Sequence, residues 1–262
     1  MATSLATFVT ALEQTWTSLI GVVDDLTEDQ WHAPTELPGW TVKDNVSHVL
    51  GVELFLLGEP LPEHPLPDTL THIRNDAGRW VEIPVDVRRP VPGAAVLAEL
   101  RDVVDRRLKA LRALDEPALD DVVTGVLGIP MPQKHLLGLR AFDSWTHEQD
   151  VRRALRRPGG FDTEAATLAR RRLLLGLAAL PFEAGRSVVF ETADQLPSVA
   201  TVTFGQQYAE GDRADADARI TLDFDTFVRL GTGRAHYPDV TVRIAGDRAF
   251  AEDVLRGMTI TP

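Results

Sequence analysis

Apolar residues recur every three or four positions along four long stretches of the chain, a spacing that predicts amphipathic helices. We predict these helices over residues 5–26, 41–58, 94–114 and 139–157. The connections between them are rich in proline and glycine, which interrupt regular structure, and they contain one short helix around residues 72–81. Four long helices with irregular connections are typical of a four-helix bundle.

The pattern changes beyond Pro181, where short runs rich in β-branched residues predict strands. We predict a helix over residues 163–180, strands over 187–192, 199–204, 218–222 and 240–245, and helices over 223–231 and 247–256. Because Pro158, Gly159 and Gly160 end the preceding helix, we place a domain boundary there. The predicted fold class is α+β, with a four-helix bundle over residues 1–160 and a smaller α+β domain over residues 161–262.

Charge and composition narrow the possible partners. The chain of 262 residues is 44% hydrophobic and 25% charged, as in globular proteins. Its net charge of −12 argues against binding to nucleic-acid phosphates or to an anionic membrane surface. No apolar run approaches the roughly 18–20 residues that span a bilayer, and the N-terminus lacks the features of a signal peptide. We therefore expect a cytoplasmic protein with no nucleic-acid or membrane partner.

Two potential metal ligands lie one turn apart on the fourth predicted long helix. Asp143 and His147 are spaced i, i+4 on a face with apolar neighbours, so both can reach one ion. His48 lies on the second helix, on a ridge with Val52 and Phe55. The alternative is ordinary packing, with hydrogen-bonded core histidines and Asp143 paired with an arginine. The chain has no cysteine, so a metal site must use His, Asp or Glu, and any thiol must come from outside.

Asp150, on the same helix, also has two interpretations. Its carboxylate could accept a hydrogen bond from His147 and so orient a metal ligand. Equally, it could pair with Arg153 or Arg157, which is the interpretation we favour from the sequence.

Three stretches of the sequence together resemble a known family. They are PTELPGWTVKDNVSHVLGVE (34–53), HIRNDAGRW (72–80) and RAFDSWTHEQDVRRALRRPGG (140–160). They are similar to the maleylpyruvate isomerase family of mycothiol-dependent enzymes, within the DinB-like metalloenzyme superfamily. Residues 220–255 resemble that family's C-terminal domain, which is similar to sterol carrier domains. The resemblance implies a DinB-like bundle followed by a sterol-carrier-like domain.

The resemblance also implies a divalent metal, usually zinc, held by His48, Asp143 and His147. Aspartate stands where the family would have glutamate or histidine, and its shorter arm leaves direct or water-bridged coordination open. Three protein ligands leave a fourth position free, as in catalytic zinc sites. The resemblance implies that mycothiol occupies this position, where the metal deprotonates its thiol.

Two reactions are implied by such a thiol. One is cis-trans isomerisation of a maleylpyruvate-like unsaturated acid, and the other is S-transfer to an electrophile. Arg79 and Arg74 are our candidates to hold a substrate carboxylate or a developing enolate, although they could equally form a solvated helix face. The alternatives are a metal-dependent hydrolase or transferase that uses metal-bound water, or a non-enzymatic carrier of a small apolar ligand. A carrier would not need three converging metal ligands.

Overall fold

The computed structural model describes residues 3–261 and divides into two compact units, the first ending at Leu168 and the second beginning at Ala169. The helices of the first unit are α1 (Leu5–Val23), α2 (Glu28–Trp31), α3 (Val42–Leu56), α4 (Asp76–Asp86), α5 (Gly93–Arg112) and α6 (Gln133–Leu155). Two short strands, β1 (Val122–Thr124) and β2 (Pro130–Pro132), form an antiparallel hairpin before α6. Helix α7 (Glu164–Ala178) contains the division between the units.

The four long helices α1, α3, α5 and α6 form the predicted bundle. Helix α1 packs against α5 and α6, and α3 packs against the same two helices. Apolar side chains such as Leu12, Trp16 and Leu100 are fully buried between them, because burial of their apolar surface is the main driving force for packing. The predicted α+β fold class is confirmed.

Helix α3 begins at the predicted cap and is tightly enclosed. Thr41 Oγ1 accepts a hydrogen bond from the Asp44 backbone at 3.3 Å, and Asp44 Oδ2 accepts one from the Thr41 backbone at 2.8 Å. Aspartate thus completes the capping box that usually contains Glu or Gln. Helix α4 crosses so closely that a Cβ atom at Gly51 would lie 2.2 Å from Cβ of Pro84. The cap and this crossing together fix the helix that carries His48.

Several element boundaries differ from the prediction. Helix α6 begins at Gln133, six residues before the predicted start. The N-cap residue is Pro132 and no side chain caps the helix, so the sequence lacks a capping signal at this position. Helix α4 runs to Asp86 and begins after Asn75, whose Oδ1 accepts from the Gly78 backbone at 2.8 Å. The β1–β2 hairpin lies in the connection between α5 and α6, for which no strand was predicted. Each of these strands has three residues, and alternation of apolar and polar residues predicts a strand only over about four residues or more.

The second unit contains a five-stranded sheet with the order β5–β4–β3–β6–β7. Its strands are β3 (Ser187–Thr192), β4 (Ser198–Thr203), β5 (Tyr208–Glu210), β6 (Ala218–Leu222) and β7 (Arg243–Gly246). Strands β3 and β6 are parallel and the other pairs are antiparallel. Helices α8 (Phe224–Gly231) and α9 (Arg248–Gly257) lie close to their predicted positions, whereas β5 was not predicted and β7 begins three residues late. None of the helices in residues 3–261 combines the length and apolarity required to cross a membrane.

Candidate metal centre

The three predicted ligands converge in the first unit. His48 lies on α3, and Asp143 and His147 lie one turn apart on α6, the helix packed against it. One potential ligand atom from each residue lies within 4.8 Å of the other two. The two imidazoles are buried, while the Asp143 side chain keeps 25% of its surface exposed. The cluster is therefore closed on the histidine side and more open at the carboxylate.

Both histidines direct Nε2 towards Asp143. His48 Nε2 lies 3.3 Å from Asp143 Oδ2, and His147 Nε2 lies 3.7 Å from Asp143 Oδ1. The centroids of the two imidazole rings are 4.6 Å apart. Two imidazole nitrogens and one carboxylate oxygen form a donor set that suits zinc and several other divalent ions. The residues therefore fit the metal that the family resemblance implies.

Hydrogen bonds at the opposite nitrogen orient His147. Its Nδ1 lies 2.8 Å from Oδ1 of Asn45 and 3.2 Å from Oδ2 of Asp150. Both oxygens are acceptors, so Nδ1 carries the hydrogen and Nε2 presents its lone pair to the cluster. The Asn45 amide is itself oriented, because its Nδ2 donates to the Thr41 carbonyl at 2.9 Å. The metal-binding tautomer of His147 is thus set by the protein.

Asp150 satisfies both interpretations made from the sequence. Its Oδ2 faces His147, and its Oδ1 accepts a hydrogen bond from Arg153 Nη2 at 2.7 Å. The proposed pairing with Arg157 is wrong, because Arg157 Nη1 donates to Asp25 at 2.6 Å instead. One fully buried carboxylate therefore links the candidate ligand His147 to a cation on the same helix.

A chain of buried ion pairs supports Asp143, and sequence reasoning missed most of it. Arg140 Nη1 donates to Asp143 Oδ2 at 2.5 Å, and Arg140 Nε donates to Oε1 of the buried Glu53 at 2.7 Å. The other oxygen of Glu53 accepts from Arg107 Nε at 2.7 Å. Asp143 therefore has the arginine partner considered from the sequence and also lies among the three candidate ligands. The i, i+3 spacing of Arg140 and Asp143 was the available sequence signal.

The charges of this cluster shift its pKa values in different directions. Burial would raise the pKa of Asp143, but Arg140 and the two histidines hold it well below its usual range. Burial lowers the pKa of His48, and this outweighs the attraction of Asp143. Burial would also lower the pKa of His147, but hydrogen bonds and charges from Asp143 and Asp150 raise it. The cluster thus combines an ionised carboxylate with a histidine that favours the neutral, metal-binding form.

Trp40 forms an aromatic wall against both histidines. Its ring centroid lies 5.1 Å from that of His48 and 5.6 Å from that of His147. The indole Nε1 donates to Oε2 of the buried Glu82 at 2.9 Å, and the same oxygen lies 3.0 Å from His72 Nε2. Glu82 therefore holds the indole in place beside the two candidate histidine ligands.

The two predicted catalytic arginines lie elsewhere on the first unit. Arg74 precedes α4 and Arg79 lies in its first turns, and both are exposed. They line a surface cavity of about 340 Å³ together with Asp68 and Asp76. His48, Asp143 and His147 do not line this cavity. A role for Arg74 and Arg79 in catalysis stays a prediction.

Comparison with known proteins places this cluster in a family context. The family described as "Mycothiol maleylpyruvate isomerase N-terminal domain" matches residues 12–152, a range that includes all three predicted ligands. Proteins of two Mycobacterium tuberculosis strains, CDC 1551 / Oshkosh and ATCC 25618 / H37Rv, are each 24% identical over 258 residues, which is 97% of this chain and 93% of the relative. Both relatives are described as uncharacterised.

Two solved structures share the fold. They are crystal structures of a mycothiol-dependent maleylpyruvate isomerase and of a mutant of it. Each is 16% identical to this chain, with a TM-score of 0.61 and coverage of 93% of both chains. At this level of identity the likeness shows that the fold is shared over both units.

Proposed function

Because the chain belongs to the mycothiol maleylpyruvate isomerase family, we propose that it is a mycothiol-dependent metalloenzyme. Its thiol cosubstrate would add to an electrophile, either to isomerise a maleylpyruvate-like unsaturated acid or to remain attached in an S-transfer. The observation that carries this proposal is the convergence of His48, Asp143 and His147 within 4.8 Å, in the part of the chain that matches the family.

Each residue of the cluster has a distinct part in this proposal. His48 Nε2, His147 Nε2 and Asp143 would hold a divalent metal, with zinc the first candidate. Arg140 donates to Asp143 Oδ2, which also faces His48 Nε2 at 3.3 Å, while Oδ1 lies 3.7 Å from His147 Nε2, so each carboxylate oxygen faces one of the two imidazoles. When bound, the metal supplies a Lewis acid that keeps a thiol deprotonated at neutral pH.

The surrounding residues prepare the cluster for this chemistry. Arg140 keeps Asp143 ionised and fixes its rotamer through a charged hydrogen bond. Asn45 and Asp150 hold His147 in the tautomer whose Nε2 can bind a metal. Trp40 covers the two imidazoles and limits the access of water to them. These contacts support a preorganised catalytic metal centre.

Arg79 and Arg74 are proposed to hold the carboxylate of the substrate. Arg79 lies one turn before Glu82 on α4, and Glu82 is the residue that holds Trp40 against the histidines. A guanidinium can bind a carboxylate through two parallel hydrogen bonds. The exposure of both arginines leaves them available for an incoming acid.

The proposal is tested by metal content and thiol binding. Purified wild type should contain about one zinc per chain and bind mycothiol, and a chelator should abolish that binding. The variant His147→Ala should lose both properties. The matched control is His135→Ala, which changes an exposed histidine on the same helix and should keep both. Metal without thiol binding would favour a hydrolase that uses metal-bound water, and no metal at all would favour the carrier hypothesis.

A further inference from the structure

A second cavity of about 450 Å³ lies at one end of the bundle, away from the metal cluster. It is bordered by the C-terminal end of α3, by α5, by β1 and by the first turn of α6. Phe55 and Leu136, which line it, are each seven residues from His48 and Asp143 on their helices, or about 10 Å along the helix axis. None of the three predicted metal ligands lines this cavity.

The cavity contains a buried arginine that is only partly used. Arg107 is 6% exposed, and its Nε donates to Oε2 of Glu53 at 2.7 Å. Its Nη2 is buried and has no hydrogen-bond partner among the described residues. A buried donor without an acceptor is costly and therefore rare in folded proteins. Glu53 also accepts from Arg140, which has Asp143 as a second partner, whereas Glu53 is the only ion-pair partner of Arg107 among the described residues.

We propose that this cavity binds a small organic carboxylate with a short apolar body. The anionic end would accept hydrogen bonds from the Arg107 guanidinium, whose Nε alone is taken by Glu53. The apolar body would contact the apolar side chains of the lining, which include Phe55, Leu56, Val123 and Leu136. The lining also contains Glu59, whose carboxylate pairs with Arg106 at 2.5 Å. The cavity has the volume of a small-ligand site, with apolar residues and one cation, Arg107, in its wall.

The site is distinct from the proposed metal centre, because its lining contains no predicted metal ligand, although ion pairs through Glu53 and Arg140 connect Arg107 to Asp143. A carboxylate could also bind directly to a metal, so the two sites have to be separated experimentally. Titration in the presence of a chelator does this, since binding at Arg107 needs no metal. Failure of this proposal would leave the proposed enzymatic function untouched, and the reverse also holds.

The test is a calorimetric titration of the whole protein with hexanoate, with and without chelator. We expect one binding site per chain in both conditions. Hexan-1-ol, which lacks the charge, and inorganic phosphate, which lacks the apolar body, should bind at least about tenfold more weakly. The variant Arg107→Met should lose about tenfold or more in hexanoate affinity. The matched control Arg112→Met changes an exposed arginine on the same helix, paired with Glu13, and should bind like wild type.

A second variant covers the case in which Arg107→Met fails to fold. Thr124 lies at the exposed end of β1 and lines the cavity, so Thr124→Trp fills the space and leaves the pairing of Arg107 with Glu53 intact. It should also weaken hexanoate binding by about tenfold or more. Five results would overturn the proposal: no saturable hexanoate binding to wild type, binding that the chelator abolishes, equal binding of phosphate or hexan-1-ol, unchanged affinity in a folded Arg107→Met, or unchanged affinity in Thr124→Trp.

Discussion

Arg140 and Asp143, three residues apart on α6, form an ion pair in which Nη1 lies 2.5 Å from Oδ2. The same guanidinium pairs through Nε with Glu53 on α3. One arginine therefore positions a predicted metal ligand and connects it to the neighbouring helix. The planar guanidinium directs Nε and Nη1 to two different carboxylates in a fixed geometry, which the single ammonium group of lysine does not reproduce.

The variant Arg140→Lys should weaken zinc binding by about 10–100-fold, because Asp143 loses the group that orients it. Competition with a chromophoric chelator would measure this affinity. Arg152→Lys is the matched control. Arg152 lies on the same helix, and its Nε is 2.7 Å from Oε1 of Glu148, which is not one of the candidate ligands. Equal zinc affinity in both variants would contradict a positioning role for Arg140.

Asn45→Ala should also weaken zinc binding by about 10–100-fold, because the hydrogen bond that helps to orient His147 is lost. Ser47→Ala is a suitable control on the same helix. The hydroxyl of Ser47 is buried and has no hydrogen-bond partner within residues 3–261, so its removal should leave the metal affinity unchanged. The prediction is wrong if both variants keep the affinity of wild type.

Zinc affinity should fall as the pH drops through the raised pKa of His147, by about tenfold per pH unit below it. A proton and the metal compete for the same lone pair on Nε2. Asp150→Asn removes a carboxylate that raises this pKa, so the fall should begin at a lower pH. Zinc titrations over a pH series would show this shift, and identical profiles would argue against the contact between Asp150 and His147.

The same raised pKa affects the stability of the metal-free protein. Protonated His147 stabilises the fold below its ordinary pKa of 6.5, and this contribution is lost as the pH rises through the raised value. Urea unfolding over a pH series in the presence of a chelator would measure this loss. The free energy of unfolding should fall less with rising pH in Asp150→Asn than in wild type.

Glu53→Gln should lower the free energy of unfolding by about 3–5 kcal/mol, because two buried arginines lose a shared countercharge. Glu99→Gln is the control. Glu99 pairs with Arg88 through a side chain that is 40% exposed, so its loss should cost about 1 kcal/mol or less. Urea denaturation of the two variants beside wild type would measure both values. Similar losses in the free energy of unfolding for the two variants would show that the buried network stabilises the fold no more than a partly exposed ion pair does.

Arg79→Ala should reduce turnover by about tenfold or more while the zinc content stays full, because the proposed carboxylate contact is lost. The matched control is Arg101→Ala, which removes an exposed arginine on α5 that pairs with Asp24. Steady-state kinetics with a maleylpyruvate-like acid and mycothiol would compare the two variants. Unimpaired turnover in Arg79→Ala would remove this arginine from the mechanism.

The sequence by itself determined the presence of the four long helices, the fold class and the three candidate ligands. Helical periodicity is a local property, so it predicted α1, α3 and α5 to within a few residues of most of their ends. The Thr41–Asp44 cap was also readable, because both partners lie within one turn. The i, i+4 spacing of Asp143 and His147 implied a shared face for the same reason, and the motifs around these residues led to the family.

Only the tertiary structure showed what surrounds these ligands. The bond from Arg140 to Glu53 joins residues 87 positions apart, and that from His147 to Asn45 joins residues 102 positions apart. Buried ions depend on partners from other helices, and no local pattern records which side chains meet when helices pack. The unsatisfied edge of Arg107 is likewise a consequence of packing, since Glu53 reaches it across the bundle while sharing its charge with Arg140.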